Sequence, residues 1–247
     1  MAVVHGGPGA PGEMAPVARE LSKSRGVLEP LQTESTLRGQ VRELKTLLEE
    51  NAELPLALIG YSWGAMLGFI LTARNPAFVS KLILVSSAVF EERYAVEVMT
   101  TRHDCLGEEE KARLNSLVKT LGDATAREKN AAFATMGELL CRADSCDVLP
   151  HESDVIEYRY DIYESVWEEA VLLRSSGELL EMGRRIECPV VAIHGDRDPH
   201  PARGVEVPLR GVLPDFRFVR LKDCGHIPWY ERAAKDRFYA ILEEEMS

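Results

Sequence analysis

The sequence has no apolar run long enough to cross a bilayer; its apolar stretches end well short of the roughly 18 residues a spanning helix needs. It has no basic surplus either. Twenty-nine Lys and Arg stand against 40 Asp and Glu, a net charge of −11. Nucleic acids and anionic membranes need a basic face to hold them, so neither is an expected partner. The five cysteines (105, 141, 146, 188, 224) contain no C-x-x-C pair. Their odd number suits reduced thiols in a cytoplasmic protein better than a disulfide framework or a zinc site. The opening residues, MAVVHGGPGA, have neither the basic nor the apolar segment of a secretory signal. Glycine-rich as that opening is, no P-loop lysine accompanies it, which argues against a nucleotide phosphate site. Internal repeats and low-complexity tracts are missing too.

What is there is an alternation of short apolar runs and longer amphipathic ones at both ends of the chain. Residues 2–4, 26–29, 56–60, 82–87, 189–195 and 216–221 read as strands. Residues 13–24, 38–51, 64–74 and about 229–245 read as helices; in 38–51 the apolar positions 41, 44, 47 and 48 mark one helical face. Near-continuous apolar strands separated by helices predict an α/β fold, a mostly parallel sheet covered on both faces. The middle differs. From 91 to 183 the charged stretches EEEKARLNSLVKTL, TAREKNAAFATMGELL, YESVWEEAVLLR and GELLEMGRR read as helices, with no strand among them. The expected organisation is a core of 1–90 and 184–247 interrupted by a helical insertion, 91–183.

Residues 60–64, GYSWG, place a serine between two glycines where strand 56–60 meets helix 64–74. A nucleophile on so tight a turn adopts strained backbone geometry and projects above the sheet. Its neighbours two positions away must be small, because strand and helix nearly touch. The helix N-terminus then favours negative charge developing at the hydroxyl. A serine needs a base, and the base an orienting acid. Of six histidines (5, 103, 151, 194, 200, 226), His226 follows the last strand on a Gly-containing loop, where a base must hang to reach the serine. The penultimate strand is followed by HGDRDPH, which offers Asp196 and Asp198. In that stretch His194, Asp196, Asp198 and His200 alternate, as metal ligands on an extended chain would. Gly195 and Pro199 break such a strand and no further cluster completes the set, so no metal and no cofactor is expected. HGGPG (5–9), directly after the first strand, supplies glycines whose backbone N–H groups can approach a developing oxyanion.

Together these motifs resemble the α/β-hydrolase superfamily: HGGPG, GYSWGA, HGDRDPH and CGH occur in its order of oxyanion loop, serine, acid and histidine. The pairing of HGGPG with G-x-S-W-G is most similar to the proline iminopeptidase branch. The resemblance implies Ser62 as nucleophile, His226 as general base and then acid, and backbone N–H groups of Gly7 and Trp63 as the oxyanion hole. The acid usually stands three residues after the glycine, which selects Asp198 over Asp196; after the earlier strand no carboxylate appears until Glu91. The insertion falls where the family carries its lid.

The sequence departs from the family at two points. The family has further strands before the oxyanion loop, whereas this sequence starts almost on it. Strand 26–29 is therefore expected at an exposed edge, with homodimer formation along it as a possible outcome. Secondly, the branch's aminopeptidases hold a substrate amine with lid carboxylates. Here Glu152, Asp154, Glu157, Asp161, Glu164, Glu168 and Glu169 show no spacing that singles out a pair. The expected activity is a serine hydrolase acting on an ester, thioester or small amide, its partner a small-molecule or short-peptide substrate. A prolyl aminopeptidase is the narrower alternative, and a non-catalytic ligand-binding protein of the same fold the rival of another class.

Overall fold

The computed structural model describes residues 1–123 and 125–246. Strands β1 (Ala2–Val4), β2 (Leu56–Tyr61), β3 (Val79–Val85), β4 (Val190–Gly195) and β5 (Phe216–Leu221) form one sheet in that order. Each neighbouring pair is parallel. Every connection must therefore cross a face of the sheet, and all strands end at the same edge.

Alternation along β2 shows how the two faces are built. Leu56 and Leu58 point into one apolar layer, Ile59 and Tyr61 into the other. The first layer is closed by α2 (Leu37–Asn51), α3 (Trp63–Arg74) and α9 (Arg203–Val212), through Val41, Leu44, Leu48, Met66, Ile70, Val205 and Leu209. The second is closed by α1 (Ala15–Leu21) and α10 (Lys235–Glu245), through Val17, Leu21, Phe238, Ile241 and Leu242. Helix α2 begins where Thr36 accepts the N–H of Gly39 at 3.0 Å. Its face then buries Leu44 and Leu48 completely, each contributing about 1.5–3 kcal/mol.

Between β3 and β4 run α4 (Glu92–Cys105), α5 (Glu108–Asp123), α6 (Ala126–Ala143), α7 (Tyr160–Ser175) and the short α8 (Glu178–Met182). Helix α7 joins the main core through Ile162, Val166 and Ala170, whereas α5 and α6 make small clusters of their own around Leu114 and Phe133. Among the described residues no helix is long and apolar enough to cross a membrane.

The boundaries expected from the sequence shift at several points. Residues 26–29 do not form a strand. Only Leu28 pairs with β1: the N–H of Val3 donates to its carbonyl and its own N–H donates to Met1. Pro30 has no N–H with which to lengthen that ladder. The chain leaves β3 at Val85, not at 87, where Ser86 takes φ +44. Helix α1 starts at Ala15, which leaves Glu13 on a turn. The last helix starts at Lys235, because residues 229–234 form turns around the buried Glu231 carboxylate, which collects the N–H groups of Cys146, Asp147 and Gly225. Helices α4 and α9 carry no clear signal in the sequence.

Candidate active site

Because the sheet is parallel, the segments that follow β1, β2, β4 and β5 emerge at one edge, and the four sequence motifs meet there. The serine turn is made possible by its glycines. A β-carbon at Gly60 would lie 2.2 Å from the Gly64 carbonyl oxygen, and one at Gly64 would lie 2.3 Å from that of Val4. Strand, helix and first strand thus touch backbone to backbone. Ser62 takes φ +51 and ψ −111, a conformation non-glycine residues adopt only under constraint. Its N–H donates to Val85 at 2.9 Å, and its hydroxyl caps nothing on α3. The hydroxyl lies instead 3.1 Å from Nε2 of His226.

Close backbone approach also assembles the other two groups. A β-carbon at Gly195 would lie 2.2 Å from the carbonyl oxygen of Cys224 and 2.3 Å from that of Gly225, so the loop after β4 rests on the loop after β5. Across that contact Nδ1 of His226 donates to Oδ2 of Asp198 at 2.8 Å. Ser62, His226 and Asp198 therefore form one hydrogen-bonded chain. Asp196 is not part of it: it is exposed and accepts the N–H of Cys224 at 3.2 Å. Glu91 is also elsewhere, paired with Arg93.

Burial raises the Asp198 carboxyl, but the charges of His226 and His194 and the donors on His200 and His226 outweigh it and hold it well below the ordinary carboxylate value. Burial likewise opposes charge on His226, yet the charge and hydrogen bond of Asp198, with Asp144 behind, raise its pKa above the usual 6.5. The alternating set His194–Asp196–Asp198–His200 does not converge, since Asp196 turns outward and Nε2 of His194 donates to the His200 carbonyl at 2.8 Å. Ligand-type atoms of Asp198, His200 and His226 do lie within 4.8 Å of one another. The hydrogen bonds among them account for that closeness.

Gly7 and Trp63, expected to donate to an oxyanion, both line the same cavity as Ser62. Trp63 is the first residue of α3, so its N–H has no acceptor one turn back. Gly7 takes φ +32. The glycine turn is held from two sides. Beneath it, buried His5 donates Nδ1–H to Gly6 at 2.6 Å while its Nε2 accepts the N–H of Gln32 at 3.2 Å. Above it, the N–H groups of Ile156 and Arg159 donate to Pro11 and Gly9 at 2.9 and 2.7 Å. The strap passes so close that a β-carbon at Gly9 would lie 2.2 Å from the Arg159 carbonyl oxygen.

The cavity holds about 540 Å³ and is walled by aromatic rings, among them Tyr61, Trp63, Tyr158, Tyr163, Trp167 and Trp229. Its charges are mostly paired. Arg102 meets Asp144 through two bonds of 2.7 and 2.5 Å, and Asp154 takes the guanidinium of Arg19 and the hydroxyl of Tyr230. Glu13 and Glu138 are the exceptions, with no hydrogen-bond or ion-pair partner among the described residues; Glu138 is exposed, whereas burial pushes the Glu13 carboxyl up to about 7. Of the seven acidic residues expected in the insertion, only Asp154 reaches the cavity. Sequence reasoning missed Glu13, Arg102 and Asp144, and met His200 only as a candidate metal ligand. The spacing of Glu13, Arg102 and Asp144 carries no signal, because folding alone brings them together.

The profile of the alpha/beta hydrolase fold family matches residues 3–233. The chain belongs to that family. A search of curated proteins by sequence finds no match. Among solved structures, VinJ superposes with a TM-score of 0.66 at 19% identity, covering 99% of this chain and 88% of VinJ. The proline iminopeptidase of Mycobacterium smegmatis gives 0.63 at 18% identity over 99% and 88%. The enol-lactonase of Burkholderia xenovorans LB400 gives 0.61 at 18% over 99% and 90%. At these identities the likeness is one of fold: this is an α/β-hydrolase-fold chain whose structural neighbours include hydrolases.

Proposed function

We propose that this α/β-hydrolase-fold protein is a serine hydrolase that cleaves an ester, thioester or small amide through an acyl-enzyme. The observation that carries the reading is the chain from Ser62 Oγ to His226 Nε2 (3.1 Å) and from His226 Nδ1 to Asp198 Oδ2 (2.8 Å), with the serine on a strained turn at the cavity. Ser62 Oγ attacks the carbonyl carbon as its proton passes to Nε2 of His226. The N–H groups of Trp63 and Gly7 receive the negative charge on the carbonyl oxygen. His226 then protonates the leaving group as the carbon–leaving-group bond breaks. Water, deprotonated by the same imidazole, releases the acid and restores Ser62. The segment between β3 and β4 acts as a lid that adds Tyr158, Tyr163 and Trp167 to the cavity's aromatic wall.

The test is a pre-steady-state mix with p-nitrophenyl esters of rising chain length. Acyl-enzyme chemistry predicts a burst of p-nitrophenol close to one per active site; a linear release at every chain length, with no covalent adduct, would contradict it. The acid limb of the pH profile follows from His226, which must be neutral to accept the serine proton. Its folded pKa is raised, so activity should climb with pH through a midpoint above 6.5. A midpoint well below 6 in kcat/KM would mean that another group limits the reaction.

The narrower reading, a prolyl aminopeptidase, has one observation in its favour beyond the neighbouring iminopeptidase fold. The unpartnered carboxyl of Glu13 is placed to meet an ammonium on the substrate, and such a partner would restore its charge. Aminoacyl-naphthylamides compared with simple esters on the same preparation distinguish the two.

A further inference from the structure

A second imidazole shares the carboxylate that orients His226. Oδ1 of Asp198 accepts the backbone N–H of His200 at 2.8 Å and lies 3.1 Å from Nδ1 of the same residue, while Oδ2 serves His226. The His200 ring stacks on His226, centroids 4.6 Å apart and planes 24° from parallel. Both rings border the cavity and both are buried. We propose that His200 is a positioning residue, whose two N–H groups clamp one oxygen of Asp198 so that the other stays on His226.

The proton inventory fixes the roles. The Asp198 side chain is fully buried, ionised and acceptor-only, so Nδ1 of His200 must carry a proton to make its bond. Nε2 is then left as a lone pair toward the cavity, where no group among the described residues donates to it. Burial lowers the pKa of His200 to about 4, which keeps the ring neutral. A neutral donor is what the arrangement needs, because a second positive charge beside His226 would oppose its protonation. His194 holds the backbone of the clamp by donating to the His200 carbonyl at 2.8 Å. With one oxygen tied twice, the carboxylate cannot swing about its Cβ–Cγ bond away from His226. Its charge is also divided among donors rather than spent wholly on the base.

Two substitutions separate positioning from loop filling. His200→Asn keeps an N–H where Nδ1 stood, and His200→Phe keeps a ring for the stack but no donor. The first readout is the NMR titration of the His226 ring, which needs no turnover. The other charged or titratable groups facing His226 are Asp198 from the loop after β4, His194 on β4, Asp144 just after α6, Arg102 from α4, Glu13 after β1 and Tyr61 on β2; both variants leave them in place. In His200→Phe the undivided charge of Asp198 should raise the His226 midpoint by about 0.5 pH unit or more; His200→Asn should leave it at the wild-type value. The second readout is ester turnover, which rests on the serine-hydrolase reading. His200→Phe should lower kcat roughly 10- to 100-fold with KM unchanged, and His200→Asn should stay within about threefold of wild type.

Equal behaviour of the two variants, in either direction, would overturn the proposal. Should the phenylalanine variant fail to fold, the tautomer of His200 in the wild type decides. Nitrogen shifts showing the proton on Nδ1 support the clamp, and a proton on Nε2 refutes it. A wild type that turns over no ester would sink the hydrolase reading alone, leaving the titration and the tautomer to judge His200.

Discussion

Ser62→Ala is expected to lower kcat for any substrate by at least about 10³-fold, some 4 kcal/mol of transition-state stabilisation, while KM stays near the wild-type value. Neither the thiol of Cys141 nor the hydroxyl of Tyr61, which line the same cavity, is fit to take over. Burial pushes the Cys141 thiol up to about 11 and the Tyr61 hydroxyl well above its ordinary value, so neither is a nucleophile at neutral pH. Trp63 and Gly7 would still face the carbonyl oxygen in the mutant, which is why the loss stops short of the uncatalysed rate. Steady-state kinetics beside a thermal melt checks this. A variant that keeps a tenth of the wild-type kcat would place the nucleophile elsewhere.

Asp198→Asn should cost about 10⁴-fold in kcat, and the surroundings of the residue say why. Oδ1 faces two N–H donors of His200. An asparagine must therefore turn its carbonyl oxygen toward His200 and its NH₂ toward His226. Nδ1 of His226 then becomes an acceptor and its proton moves to Nε2, opposite the hydroxyl it should be accepting from. The base is blocked by the wrong tautomer as well as deprived of its counter-charge. Asp196→Asn offers the control within the same loop. Its carboxylate is exposed and accepts one backbone N–H, so kcat should change no more than about threefold. If Asp196→Asn were the more damaging substitution, the choice of Asp198 would be wrong.

What was legible in the sequence is what local geometry demands of local residues. The turn at Ser62 requires Gly60 and Gly64 because backbone atoms stand within 2.3 Å of where their β-carbons would be. That requirement leaves its mark in five consecutive letters. Asp198 and His226 follow strands on glycine-marked loops for the same kind of reason, since Gly195 lies against the Cys224–Gly225 backbone. The cavity walls leave no such mark. Glu13 falls among Gly and Pro before an amphipathic run, and nothing in that order tells a turn from a helix start.

Helix α9 was hidden by its own composition. Pro208 lacks the N–H that would bond Gly204, and the two glycines weaken the helical signal further. In the fold the Gly204 carbonyl accepts the N–H of Phe90 instead, a tertiary substitution that sequence periodicity cannot show. The missing 26–29 strand is a similar case. Its residues are strand-like, but only Leu28 finds a ladder to join.

In the proposed hydrolase Ser62 is activated by His226 and Asp198. The most direct test is labelling of the wild-type protein with a fluorophosphonate, followed by peptide mass mapping. An activated Ser62 gives one adduct per chain, on the peptide carrying that serine, formed faster as pH rises through the His226 midpoint and abolished by Asp198→Asn. No adduct, or an adduct on another residue, would contradict it.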